Sequence, residues 1–151
     1  MTAPTKRVPM APPDAASDVR LAVCLPALDV VTPWVLAQVG DALKFGVAQD
    51  SCDSVQIAVA EALNNIVEHG YRGSRLGAVV IQVSVSAADI VCDLTDWGCA
   101  YPGLDLPNGA LPDPTDLEEG GYGWFLIRSL MTNVTYERRH KTNHLSLTLA
   151  R

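Results

Sequence analysis

Residues 77–96, GAVVIQVSVSAADIVCDLTD, hold two β-rich runs separated by only the three residues AAD. Parallel strands need a crossover of a dozen or more residues, so this short turn makes the runs an antiparallel hairpin. A hairpin alone is marginal in water, so the rest of the chain must pair with it and cover it. Upstream, VRLAVCL (19–25) reads as a further strand. TPWVLAQVGDALKF (32–45) carries apolar residues at helical spacing, with Thr32 as its N-cap, Pro33 at the first helical position and Gly46 as its stop. A second helix is expected from Asp53, where Asp53 and Gln56 resemble a capping box, to about His69, just before Gly70. Downstream, residues 98–122 are rich in Gly, Pro and Asp and too long for an ordinary connection, which points to a functional or mobile loop. A short helix, GWFLIRSLM, and two strands, VTYERR and HLSLTLA, complete the chain.

Strands therefore do not alternate regularly with helices, which excludes a doubly wound parallel fold. The order predicts an α+β fold, a two-layer α/β sandwich whose mostly antiparallel sheet is covered on one face by helices. The expected domain is 18–151, preceded by a proline-bearing disordered tail, 1–17. With 48% hydrophobic and 19% charged residues the composition is that of a soluble globular protein. The formal net charge is −6, and no Lys or Arg occurs from Leu76 to Ile127. A nucleic-acid binder needs a basic face, so that class is disfavoured. Cys24, Cys52, Cys92 and Cys99 show neither a CxxC pair nor metal-like spacing, which fits a reduced, cytoplasmic setting. No signal-peptide core and no membrane-length apolar run is found.

Three motifs carry chemistry. In VAEALNNIVEHGY (59–71), Glu61, Asn65 and His69 are four apart and form one polar stripe, flanked by Asn64 and Glu68. A solvated helix face explains such a stripe, yet exposed faces usually also hold Lys or Arg, and none lies between Lys44 and Arg72. In DLTDWG (93–98), Asp96 is placed to accept a hydrogen bond from a ligand, and Gly98 lets that ligand approach the backbone; a plain turn is the ordinary alternative. In EEGGYGWFLI (118–127), glycines ahead of a helix expose N–H groups at the positive end of its dipole, which suits a phosphate; a flexible linker is the alternative.

Together these motifs resemble the nucleotide-binding boxes of the gyrase, Hsp90, histidine-kinase and MutL ATPase superfamily. More narrowly, EALNNIVEHGY, DWG and GGYGWFLIRSLMTNVTYE resemble the anti-sigma-factor serine kinases of bacterial partner-switching systems. The likeness extends from Val19 to Arg151. It implies the histidine-kinase-like ATPase fold, with ATP between the helices and the long loop as lid. It also implies roles: Glu61 as general base, Asn65 holding Mg²⁺, Asp96 recognising the adenine amino group with Gly98 beside the base, and Gly121 and Gly123 at the phosphates. By the same resemblance the protein phosphorylates a serine on a STAS-domain anti-anti-sigma partner and binds and inhibits a sigma factor. A homodimer is left open.

Several positions depart from the family's pattern. Ala100 stands where relatives often have a second glycine, Glu118 and Glu119 where some carry Arg, Thr132 where an Asp is usual, and Thr142-Asn143 where Gly-Thr is frequent. The phosphate charge must then be met by Mg²⁺, backbone N–H groups, or side chains such as Arg72, Arg128 or Lys141. The alternative reading is a non-catalytic module that sequesters a partner around a structural or vestigial nucleotide site. The ATPase half of a histidine kinase is set aside, because about 18 residues ahead of the first strand leave no room for a phosphoacceptor hairpin.

Overall fold

The structure, a computed structural model, describes residues 17–72, 74, 76–111 and 122–151. Five strands form one antiparallel sheet: β1 (Asp18–Pro26), β2 (Ala78–Val85), β3 (Asp89–Asp96), β4 (Asn133–Arg139) and β5 (Thr142–Ala150), in the spatial order β1-β2-β3-β5-β4. Among the described residues three α-helices accompany it: α1 (Thr32–Leu43), α2 (Gln49–Asn65) and α3 (Tyr122–Leu130). The two-layer arrangement and the antiparallel sheet are as the order of runs implies.

The period of two along the strands decides which residues meet the helices. Val79, Ile81, Val83 and Val85 on β2 are buried, as are Ile90, Cys92 and Leu94 on β3 and Leu145 and Leu147 on β5. The alternate residues on β2 and β3 are half-exposed, so the sheet has one core face and one wetter face. Across the sheet, Ile81 pairs with Leu94 and Leu94 with Leu145; Val83 pairs with Cys92 and Cys92 with Leu147. On the helical side, α2 contributes Val55, Ala58, Val59, Ala62 and Leu63, and α1 contributes Val35, Val39 and Leu43, all essentially inaccessible.

Two helix starts differ from expectation. α2 begins at Gln49, one turn before Asp53, with Ala48 at its N-cap and no side-chain cap. The Asp53 carboxylate instead accepts from Gln49 Nε2 at 2.7 Å, and Gln56 Nε2 donates to the Leu36 carbonyl at 2.7 Å, tying α2 to α1. Gln56 is therefore a packing residue, and the capping box does not form. At α1 a short 3₁₀ turn, Asp29–Val31, leads directly into the helix. Val31 is the cap, and the buried Thr32 hydroxyl makes no hydrogen bond among the described residues.

α2 ends in a wider π-helical turn, Ile66–Gly70, closed by the Tyr71 N–H to the Ile66 carbonyl at 3.0 Å. Such turns recur at functional sites because they displace the residues that follow from the α-helical stripe. Among the described residues, no helix is long and apolar enough to cross a membrane.

The burial pattern separates two apolar residues of α2. Leu63 is fully buried against the sheet, while Ile57 is 44% exposed. Leu63→Ala is expected to cost about 2–5 kcal/mol, whereas Ile57→Ala costs no more than about 1 kcal/mol. Urea unfolding of the two variants against the wild type measures both.

Candidate functional site

The last inward residue of β3 is Asp96, in phase with Leu94, and the inward residue opposite it on β5 is Asn143. The register that packs Leu94 on Leu145 therefore sets a carboxylate beside a carboxamide at the end of the core face. Both are almost wholly buried, Asp96 at 4% and Asn143 at 3% exposure. Asn143 Nδ2 donates to Asp96 Oδ1 at 2.9 Å, and the Gly98 N–H donates to the same oxygen at 2.8 Å. Among the described residues no hydrogen bond reaches Asp96 Oδ2, and the residue lines an open cleft of about 510 Å³. Burial raises the Asp96 pKa above the ordinary carboxylate value, opposed by the bonds from Asn143 and Gly98 and by the charges of Arg138 and His144.

A further set of bonds fixes Asn143. Its Oδ1 accepts from the Tyr136 hydroxyl at 2.7 Å and from Arg138 Nη1 at 2.6 Å. Arg138 Nη1 also reaches the Gly98 carbonyl at 2.9 Å. Tyr136 in turn receives the Tyr101 N–H at 3.3 Å, and the Tyr101 ring stands edge-on to both Tyr136 and Trp124, at centroid distances of 5.2 and 5.5 Å. Burial, with Asp96 and Tyr136 nearby, raises the Tyr101 pKa. Tyr101 and Trp124 form an aromatic wall of the cleft. Trp97 is half-exposed and is not among the lining residues.

Gly98 has a steric reason to be glycine. A Cβ there would lie 2.5 Å from the Gly70 carbonyl oxygen and 2.6 Å from its carbon. The same carbonyl accepts the Cys99 N–H at 2.7 Å, so the π-helical turn and the chain leaving β3 are in backbone contact.

Along α2 the polar stripe runs from half-buried Glu61 through buried Asn65 to exposed Glu68 and His69. Asn65, Glu68 and His69 line the cleft together with Gly70 and Arg72. Glu61 lies beside Gly123: a Cβ on that glycine would come 2.8 Å from Glu61 Oε2 and 3.8 Å from Asn65 Nδ2. Gly123 lies within the first turn of α3 rather than ahead of it, so the start of the helix abuts the Glu61–Asn65 pair. Asn65 Nδ2 is buried and has no hydrogen-bond partner among the described residues. Gly121 lies outside the described residues, as do Glu118 and Glu119.

The cations named from sequence separate. Arg72 lines the cleft. Arg128 donates to the Pro107 carbonyl at 3.3 Å, and Gly109 packs on its side chain and on the Trp124 carbonyl, which docks the loop onto α3. Lys141 sits in the two-residue β4–β5 turn with positive φ and lines no part of the cleft. Tyr136 and Arg138 were not singled out from sequence, and Asn143 stood there only as a departure from the family's Gly-Thr. The signal for Asn143 was present: in TNHLSL it is in phase with Leu145 and Leu147, but a strand begun at His144 stops one residue short.

Asn65 and Asp96 thus share one cleft, with Gly98 packed on Gly70 and Gly123 on the Glu61–Asn65 pair. Residues 26–149 match the Histidine kinase-like ATPase domain family. The chain belongs to this family. The ATPase domain is 32% identical over 100 residues to the serine/threonine-protein kinase BtrW of Bordetella bronchiseptica, covering 63% of this chain and 68% of that protein. It is 31% identical over 117 residues to the serine-protein kinase RsbW of Bacillus subtilis, covering 74% and 69%. It is 30% identical over 91 residues to the anti-sigma F factor of Clostridium botulinum strain Eklund 17B, covering 58% and 62%. The matches thus span about two thirds of these relatives' own length. The fold of the ATPase domain also matches a histidine kinase domain from Erythrobacter litoralis EL346, with a TM-score of 0.50 at 16% identity over 92% of this chain and 65% of that one. The resemblance read from the three motifs is borne out at the level of the family and of its kinase relatives.

The Gly98 contact is tested against a neighbouring glycine. Gly98→Ala forces the Gly70 backbone aside and is expected to cost about 1–3 kcal/mol. A Cβ on Gly70 meets Asp96 Oδ1 at an ordinary 3.6 Å. Gly70→Ala should therefore cost under about 1 kcal/mol in the same thermal and urea unfolding series.

Proposed function

We propose that the protein is an Mg·ATP-dependent serine protein kinase that phosphorylates a STAS-domain anti-anti-sigma partner and binds and inhibits a sigma factor. It would act in the cytoplasm through the domain 18–151, with the tail 1–17 outside it. The observation that carries this reading is the convergence of a buried carboxylate facing a cleft, Asp96, with the Glu61–Asn65 pair under the first turn of α3. Kinase and anti-sigma names among the relatives support the activity and the partners.

Each residue has a task in this mechanism. Asp96 accepts the adenine 6-amino group, and Gly98 keeps the backbone close to the base. The phosphates lie toward the first turn of α3, at Gly121 and Gly123, where helix N–H groups favour anions. Asn65 would hold Mg²⁺ through its amide oxygen, with the Glu61 carboxylate nearby; both are oxygen donors of the kind a hard cation takes. When bound, the ion neutralises phosphate charge. Glu61 takes the proton of the partner's serine hydroxyl. The serine oxygen forms its bond to the γ-phosphorus as the bond to the ADP oxygen breaks, and ADP leaves with that electron pair. Positioning and charge neutralisation supply most of the rate.

Transfer of radiolabelled phosphate from Mg·ATP to a STAS-domain partner tests this. Glu61→Gln should lower transfer by about 10²–10⁴-fold, the share of a positioned base, while nucleotide binding is retained. Tight partner binding by a wild type that transfers no phosphate would sink the kinase reading in favour of a non-catalytic sequestering module.

A further inference from the structure

In this chain the partner of Asp96 is a carboxamide held in one orientation. Tyr136 Oη and Arg138 Nη1 both donate to Asn143 Oδ1, at 2.7 and 2.6 Å. A tyrosine hydroxyl could serve a flipped amide as acceptor, but a guanidinium only donates, so Oδ1 must face Arg138. Nδ2 is thereby turned toward Asp96 Oδ1, at 2.9 Å, and toward the Gly98 and Cys99 carbonyls, at 3.3 and 3.2 Å. The two donors on Asp96 Oδ1, Asn143 Nδ2 and the Gly98 N–H, favour the ionised carboxylate. An ionised carboxylate offers its other oxygen to the cleft purely as an acceptor.

We infer that Asn143, locked by Tyr136 and Arg138, is a positioning residue that keeps Asp96 an obligate acceptor and so makes the cleft select 6-amino over 6-oxo purines. The inference rests on the proposed nucleotide site and goes beyond it by naming what sets the base preference. An adenine amino group donates to such an oxygen. The O6 of a 6-oxo purine meets it acceptor to acceptor, and is accepted only if Asp96 carries a proton. The groups that face Asp96 all bear on that proton: Arg138 and His144 favour the anion, burial favours the acid, and the Tyr101 phenol lies close by. Without the Asn143 donor, burial is opposed by less, and the protonated carboxyl becomes a donor suited to O6.

The test uses the full chain and measures dissociation constants for Mg·ATP and Mg·ITP by calorimetry at neutral pH. Asn143→Asp keeps the shape and the acceptor for Arg138 and Tyr136 but removes the N–H and adds a like charge. It should lower the ATP-over-ITP preference by about 10- to 100-fold, the usual effect of leaving a buried polar group mispaired. Asn143→Thr restores a donor and should recover most of the preference. Tyr136→Phe leaves the volume nearly unchanged and removes one of the two locks, so it should lower the preference in the same direction by a smaller factor. Near-UV circular dichroism checks that each variant is folded, and Tyr136→Phe carries the test should Asn143→Asp not fold. Equal weakening of both nucleotides, or an unchanged preference in both Asn143→Asp and Tyr136→Phe, overturns the assignment of Asn143 while the nucleotide site stands. A wild type that binds neither nucleotide overturns the site itself and this inference with it.

Discussion

The register of β3 against β5 is the constraint on which the rest depends. Pairing Leu94 with Leu145 and Cys92 with Leu147 closes the core beneath the helices, and two residues further along the same face it pairs Asp96 with Asn143. A slip of one residue would expose the apolar set and turn the polar pair to the wet face. Core and site are therefore specified by one alignment. Hydrophobic burial along β3 and β5, including Ile90 and Leu147, holds the carboxylate in place.

That placement has a cost, and the surroundings are arranged to meet it. A carboxylate at 4% exposure loses most of its hydration. Asp96 recovers two hydrogen bonds, from Gly98 N–H and Asn143 Nδ2, and Arg138 brings a positive charge that reaches it through Asn143. Cys92, four residues earlier on the same face, has no such help, and burial pushes its thiol up to about 12. Arg138 also holds the Gly98 carbonyl, so one side chain braces both the polar pair and the backbone beside it.

Much of this was legible in the sequence, for local reasons. The three-residue AAD turn dictated the hairpin, the period of two in VVIQVSV and IVCDLTD marked the core face, and the spacing of Glu61 and Asn65 placed them on one stripe. Failures came where a tertiary contact outcompeted a local signal. Gln56 had the spacing of a cap but bonds to the Leu36 carbonyl across the helix pair. His69 continues the four-residue spacing, yet a π-helical turn intervenes after Asn65, and its tight end is set by Gly98 against Gly70. Arg138, and the bond from Asn143 to Asp96, escaped notice because they depend on strand pairing between residues far apart in the chain, which no local window contains.

The distribution of cations carries the last step. In a chain of net charge −6 the arginine that braces the Asp96 end, Arg138, is committed to Asn143 and the Gly98 carbonyl, and Arg128 to the Pro107 carbonyl. Neither is arranged as a clamp on a polyanion. What the Glu61 end offers instead is a helix start, through Gly123, and an amide with an unmet donor, Asn65 Nδ2. Those groups attract an anion through fixed dipoles rather than net charge, and dipoles fall off faster with distance than charges do. Recognition at this end is therefore short-range and geometric, with Arg72, which lines the cleft, as the arginine placed to add a longer-range charge.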